Sequence, residues 1–196
     1  MQQLDNAVNY FNLHVYSKLE TVNCCVAGGA VRDYFSIGYP TSDIDIFFPS
    51  ETDYLVADTK FTAKNYPVLS DTDSAKMFKV DKQKIHLIKK HYYQTPEEII
   101  ADFDFTVCCA VVTREKVVHH ESFFIDLARK HLQINNPKYP LNVLKRMQKF
   151  IQRGYWMCNG SMLILAKALA TVNFDDKNEN QLAFYSDGSP RFIKFD

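Results

Sequence analysis

The chain has 196 residues, 46% of them apolar and 23% charged. That is enough for one compact domain with a small helical appendage, and the composition argues against a fully disordered chain, a collagen or a coiled coil. Twenty-three basic and twenty-three acidic residues cancel, which argues against a protein that coats nucleic acid by net charge alone. The charge is unevenly placed: residues 1–75 sum to −6, residues 76–153 to +7 and residues 154–196 to −1. An acidic part feeding a basic part suits a divalent metal on one side and a polyanion on the other; uneven scatter of solvated charge is the other reading. No apolar run is long enough for a membrane span and the N-terminus has no signal-peptide pattern, so a cytoplasmic protein without a membrane partner is expected. Cys24, Cys25, Cys108, Cys109 and Cys158 match neither a zinc spacing nor a disulfide framework and read as reduced core thiols.

In chain order, Leu4, Val8, Phe11, Val15 and Leu19 predict an amphipathic helix over 4–19. Residues 22–27 form a short apolar run, a buried strand. Gly28-Gly29 ends it, and residues 30–35 form a helix stopped near Gly38 and Pro40. Residues 43–48 are a strand whose first end alternates acid and apolar. A helix runs from Pro49-Ser50-Glu51 to about Lys64, and 75–80 with 84–89 make a hairpin. Thr95-Pro96-Glu97-Glu98 starts a short helix. Residues 103–112 read as the most strand-like stretch of the chain, and His119-His120 as a loop. Residues 140–153 are helical, Asn159 caps a last helix to about Val172, and 173–196 form a loose tail.

Side chains two apart on a strand share a face, so Asp43 and Asp45 project together while Ile44 and Ile46 enter the core. Paired carboxylates repel unless a cation lies between them, and oxygen ligands favour Mg²⁺ or Mn²⁺. Gly28-Gly29, fourteen residues earlier between strand and helix, allows close approach to the backbone, and the helix amides that follow can receive a phosphate. Arg32, one turn on, adds a cation; a plain tight turn is the competing reading of the glycines. Alternation along 102–107 puts Asp102, Asp104 and Thr106 on one face, and Asp104 is the candidate third carboxylate. Asp104 at a solvated sheet edge is the alternative. Three such carboxylates can hold two metals for an in-line displacement at phosphorus.

Gly28-Gly29-Ala30-Val31-Arg32-Asp33, followed by Ser42-Asp43-Ile44-Asp45-Ile46, closely resembles the head-domain signature of class II tRNA nucleotidyltransferases (CCA-adding enzymes) and bacterial poly(A) polymerases, members of the polymerase-β-like superfamily. Glu97-Glu98 leading to Asp104-Phe105-Thr106, then Phe124-Ile125-Asp126-Leu127, then Arg146-x-x-Lys149-Phe150 with Gly154-Tyr155 continue the likeness in order. The resemblance implies an α/β (α+β) nucleotidyltransferase fold: a mixed, twisted sheet flanked by helices over 1–134, then a short helical neck over 135–172. It implies Asp43, Asp45 and Asp104 as catalytic metal ligands. Gly28, Gly29, Arg32, Asp33, Thr106, Arg146 and Lys149 become nucleotide-binding residues, with Mg²⁺ or Mn²⁺ as cofactor and a nucleoside triphosphate as substrate.

The sequence also departs from the family. Asp102-Phe103 stands where relatives carry two arginines, Pro140-Leu141-Asn142 lacks the acid before the neck helix, and no tRNA-gripping body is recognisable. The resemblance therefore implies transfer of an NMP to an acceptor hydroxyl with release of pyrophosphate, with RNA as partner at a tRNA-like 3′ end, but not CCA addition. Transfer to a protein or small-molecule hydroxyl, or a degenerate binding module, are the alternatives. A small head of this kind suits a phage or mobile-element enzyme.

Asn142, Arg146, Lys149 and Arg153 share one helical stripe, either a phosphate-tracking face or a solvated one. Lys79, Lys82, Lys84, Lys89 and Lys90 decorate the hairpin. Tyr92 and Tyr93 after it either stack on a base or pack on their own domain. His86, mid-strand, reads first as a structural histidine and second as a residue facing the site.

Overall fold

The structure is a computed structural model that describes residues 2–172, so the tail expected over 173–196 lies outside the described residues. Helix α1 (Gln2–His14) buries Ala7 and Phe11. A 3₁₀ turn over Tyr16–Lys18 replaces the end of the longer helix expected here. The cause is Tyr16: its hydroxyl donates to the Val112 carbonyl and accepts from the Val26 amide, which pulls the chain down onto the sheet.

Strand β1 (Cys25–Ala27) leads through Gly28 into α2 (Gly29–Ile37), which ends at Gly38 in the left-handed region, where glycine alone is unstrained. Strand β2 (Ile44–Phe47) and helix α3 (Glu51–Ala63) follow, the helix capped by the Ser50 hydroxyl accepting from the Asp53 amide. Strand β3 (Val68–Asp71), not foreseen, precedes the expected hairpin of β4 (Ala75–Val80) and β5 (Gln83–Ile88). Helix α4 (Pro96–Asp102) starts at a Thr95 cap with Pro96 in its first turn. Strands β6 (Ala110–Val112) and β7 (Val117–His119) and helices α5 (Phe123–Arg129), α6 (Pro140–Gln152) and α7 (Asn159–Ala170) complete the order. His119 thus ends a strand, and Cys158 rather than Asn159 holds the cap position of α7.

The strands form one mixed sheet in the order β3-β4-β5-β2-β1-β6-β7. Among the described residues β2 and β5 run parallel and every other strand pair is antiparallel. The mixed sheet with flanking helices is the fold class the sequence implies, and β2 lies at its centre.

Alternation sorts the apolar side chains to two faces. Val26, Ile44, Ile46, Ile85, Leu87 and Val112 pack with Phe11 of α1, Val31 of α2 and Phe61 of α3. Ala27, Phe47 and Val111 pack on the other face with Ile99 and Ile100 of α4. A third core joins Phe105, Val107 and Cys108 to Val143 and Phe150 of α6 and Leu165 of α7.

The strand expected over 103–112 forms only in its last three residues. Asp102 closes α4, Phe105 makes a single bridge to Ile134, and Thr106–Cys108 is a 3₁₀ turn. The Thr106 amide donates to the Gln133 carbonyl, while Cys108 and Cys109 donate back to Phe105 and Thr106. The β-forming side chains are there to fill the third core, not to extend a ladder. The shared face argued for Asp102, Asp104 and Thr106 is therefore absent.

All five cysteines are free; Cys24, Cys108 and Cys109 are buried, but Cys25 and Cys158 are only half-buried. Among the described residues no helix is long and apolar enough to cross a membrane.

Candidate functional site

Asp43 and Asp45 stand at the start of the central strand, their side chains 43% and 34% exposed. The parallel pairing of β2 with β5 sets His86 opposite Asp45. The imidazole bridges the two acids: Nδ1 lies 3.0 Å from Asp45 Oδ1 and Nε2 lies 3.6 Å from Asp43 Oδ2. The hydrogen bond to Asp45, then the charges of Asp45 and Asp43, raise the His86 pKa against the opposing effect of burial. His86 thus lies against both aspartates of the candidate site. Periodicity could put it on the right face of β5, but only the strand register brings it to the two aspartates.

Gly28 and Gly29 adjoin this pair. Gly28 has φ +78°, and a Cβ there would lie 4.0 Å from Asp45 Oδ2 and 3.5 Å from the Phe103 ring. A Cβ on Gly29 would press to 3.1 Å from Ser42 Cβ. Both positions therefore need glycine, one for its backbone angle and one for space. The turn delivers the first amides of α2 beside the aspartates, an arrangement that can receive an anion.

Arg32 and Asp33 lie beneath the turn, 6% and 7% exposed. Arg32 Nη2 donates to Asp33 Oδ1 at 2.6 Å, and its Nη1 reaches Cys108 Sγ at 3.8 Å. Asp33 Oδ2 accepts from the amides and hydroxyls of Thr41 and Ser42. Burial would raise the Asp33 pKa, but these hydrogen bonds and Arg32 lower it. The pair ties α2 to the loop that launches β2, fixing the glycines relative to Asp43 and Asp45. Thr106 is fully buried and its hydroxyl donates to Asp126 Oδ2 at 2.6 Å.

Asp104 pairs with Arg146 rather than with Asp43 or Asp45. Its Oδ2 lies 3.1 Å from Arg146 Nη1, and its Oδ1 is buried without a hydrogen-bond partner. Burial raises its pKa and Arg146 opposes the rise. With Asp104, Arg146 and Lys149 line a cleft of about 340 Å³ that also carries Lys138 and Lys145. Arg153, on the same predicted stripe, instead lines a second cleft with Asp43, Arg32 and Lys130.

Lys79, Lys82, Lys84 and Lys90 of the hairpin are exposed, whereas Tyr92, Tyr93 and Lys89 engage the protein itself. Tyr93 donates to Asp102 Oδ2 at 2.7 Å, Tyr92 packs against the first core, and Lys89 pairs with Asp71 at 2.7 Å. Asp102 also pairs with Lys138 at 3.2 Å.

Asp43 and Asp45 are two partly exposed carboxylates, the oxygen donors that a hard divalent cation takes, and both lie against the His86 imidazole. Among the described residues no three His, Cys, Asp or Glu side chains are grouped so as to hold a metal, and Asp104 faces Arg146. A three-carboxylate centre is thus not assembled.

Several solved structures share this fold at low identity. A CCA-adding enzyme in complex with ATP superposes with TM-score 0.62 and 16% identity, over 87% of this chain and 45% of that one. The Thermotoga maritima CCA-adding enzyme complexed with tRNA gives 0.58 and 18%, over 83% and 42%. An apo form of a tRNA-processing enzyme gives 0.61 and 14%, over 81% and 47%. The chain spans less than half the length of these proteins. No curated protein sequence matches it. The model of one protein family matches residues 2–130, and by that match the chain, built on a nucleotidyltransferase-type fold, belongs to the Gabija anti-defense 2 family.

Proposed function

We propose that the chain is a metal-dependent nucleotidyltransferase that moves an NMP from a nucleoside triphosphate to an acceptor hydroxyl, releasing pyrophosphate. The observation that carries this reading is the proximity of glycine turn and paired acids: the Gly28 Cβ position lies 4.0 Å from Asp45 Oδ2. A phosphate received by the α2 amides lies next to the carboxylates that hold its counter-ion.

In this reading Asp43 and Asp45 hold the divalent ion. When bound, that ion neutralises triphosphate charge and stabilises the departing pyrophosphate. Gly28 and Gly29 admit the triphosphate to the backbone, and Arg32 with Asp33 holds the turn rigid. In the same reading Asp104, buried beside Arg146 and with its pKa raised, takes up the proton of the attacking hydroxyl. Arg146 keeps Asp104 in place, and Lys149 adds positive charge along the same cleft. The basic cleft favours an RNA 3′ end as acceptor.

The family membership favours a second acceptor. A Gabija anti-defense protein acts against a defence system, and a hydroxyl on a protein of that system would be an equally competent nucleophile. Incubation with each labelled NTP, Mg²⁺ and either total RNA or RNase-treated lysate tests both readings. Label in RNA supports the first and label in protein the second. No label in either, with any of the four NTPs, overturns nucleotidyl transfer.

A further inference from the structure

The β4–β5 hairpin gives one face to the first core and leaves the other open. Phe78, Val80, Ile85 and Leu87 are buried in that core. Alternation turns Ala75, Met77, Lys79, Lys84, His86 and Ile88 to the opposite face, where none is fully buried and both lysines are exposed. On this face His86 meets Asp43 and Asp45. The parallel register pairs Ile44 with Ile85 and Asp45 with His86, so one step back along both strands Lys84 comes level with Asp43.

Lys84 stands directly across from Lys79. The Lys79 amide donates to the Pro67 carbonyl at 2.8 Å, away from β5. The two lysines are therefore a non-hydrogen-bonded pair, the closer of the two antiparallel pairings, with Cα atoms about 4.5 Å apart. Like charges set directly opposite one another are unfavourable, and an anion lying over both relieves the repulsion. Two other lysines of this region already have counter-charges: Lys76 pairs with Asp58 and Lys89 with Asp71. Among the described residues Lys79 and Lys84 form no ion pair.

We propose that Lys79 and Lys84 form a phosphate-binding ledge beside the aspartates, which carries the backbone of an RNA strand. Charge selects a polyanion, and the make-up of the face selects a nucleic acid over an acidic protein. Protein interfaces are built round apolar anchors and are poor in lysine, whereas phosphate contacts need cations and no anchor. Here the large apolar side chains, Met77 and Ile88, are half-buried and the lysines stand out. The ledge borders the site at which an RNA end is proposed to react, and for the identity of its strand it rests on that reading.

The test is binding of the full chain to a labelled single-stranded oligouridine, read by fluorescence anisotropy over a series of KCl concentrations, with EDTA present so that no transfer occurs. Lys79→Gln and Lys84→Gln should each flatten the slope of log affinity against log salt by about 0.7, and the double variant by about 1.4. Lys116→Gln removes the same charge from an exposed position between β6 and β7 and should leave the slope unchanged. Thermal melts at low salt should place both single variants at or above the parent, because the opposed charges are relieved. The ledge is overturned if the double variant keeps the parent's slope, or if Lys116→Gln flattens it equally. It is also overturned if polyglutamate displaces the RNA as well as an equal charge of unlabelled oligouridine does, or if both single variants melt below the parent. The expected slopes from a chain that labels no acceptor would uphold the ledge and overturn nucleotidyl transfer alone, so the two fail separately.

Discussion

Asp104 Oδ2 and Arg146 Nη1 lie 3.1 Å apart, joining the extended segment after α4 to the exposed side of α6. The pair puts a buried acid under the control of a half-exposed base, its side chain 45% exposed against 10% for Asp104. Asp102, two residues earlier, is a tether between Tyr93 and Lys138. Asp104→Asn should therefore cut nucleotide transfer by orders of magnitude while NTP affinity changes little, and Asp102→Asn should retain most activity. Steady-state kinetics with separate kcat and KM check this; an inactive Asp102→Asn beside an active Asp104→Asn would refute the assignment.

The same pair has a stability signature. Burial raises the Asp104 pKa above its unfolded value, so its ionisation destabilises the fold as pH rises, and Arg146 limits the loss. Solvent screens the exposed guanidinium, so Arg146→Gln should cost only about 1–2 kcal/mol at pH 7, and progressively less below the Asp104 pKa, where the acid is neutral. Urea unfolding at pH 7 and pH 4 measures the difference, and an equal loss at both pH values would contradict it.

Much of this region was legible in the sequence, and its failures have physical causes. Gly28-Gly29 and Asp43-x-Asp45 are local: a strand, a turn that only glycine can make, and a period of two determine what they present. Caps at Ser50 and Thr95 likewise fix their helices with neighbours a few residues away. Residues 103–107 misled because aromatic and β-branched side chains suit any apolar interior, and here the Gln133 carbonyl takes the Thr106 amide that a ladder would have used. Strand β3 escaped because Val68 and Leu69 are exposed on an edge strand. His86 could be ranked only once β5 was known to pair in parallel with β2.

His86 changes what the aspartate variants should do. Asp43→Asn and Asp45→Asn are each expected to abolish transfer, since either leaves a single carboxylate for the cation. Asp45→Asn also removes the main cause of the raised His86 pKa. A raised histidine stabilises below its unfolded pKa and loses that contribution as pH rises through the folded value. The variant should thus be about 1 kcal/mol less stable than the parent near pH 5.5 and match it near pH 8.5. Thermal melts at the two pH values decide; a larger gap at pH 8.5 would reverse the argument.

Asp33 offers the opposite sign. Its carboxylate compensates the buried Arg32 and gathers Thr41 and Ser42. Asp33→Ala leaves that guanidinium without its partner and should cost about 3 kcal/mol at neutral pH. Because the Asp33 pKa is lowered in the folded state, its contribution is present above the ordinary carboxylate range and is lost as pH falls through the folded value. The gap between parent and variant should be constant from pH 7 to 5 and close below about pH 4. A gap that does not narrow at all as pH falls below the ordinary carboxylate range would mean that packing, not charge, makes the residue necessary.

The last prediction separates the two clefts that the predicted basic stripe serves. Arg146 and Lys149 line the cleft of Asp104, whereas Arg153 lines the one beside Asp43. If a single-stranded RNA end tracks the first cleft, removing one phosphate-neutralising cation there should flatten the slope of log affinity against log salt by about 0.7. Lys149→Gln tests this without disturbing the Asp104 pair, and should flatten the slope by one such step while Arg153→Gln leaves it unchanged. Equal changes from both would mean that one strand runs across both clefts. No change from Lys149→Gln would make that side of α6 a solvated face and remove the structural argument for RNA as the acceptor.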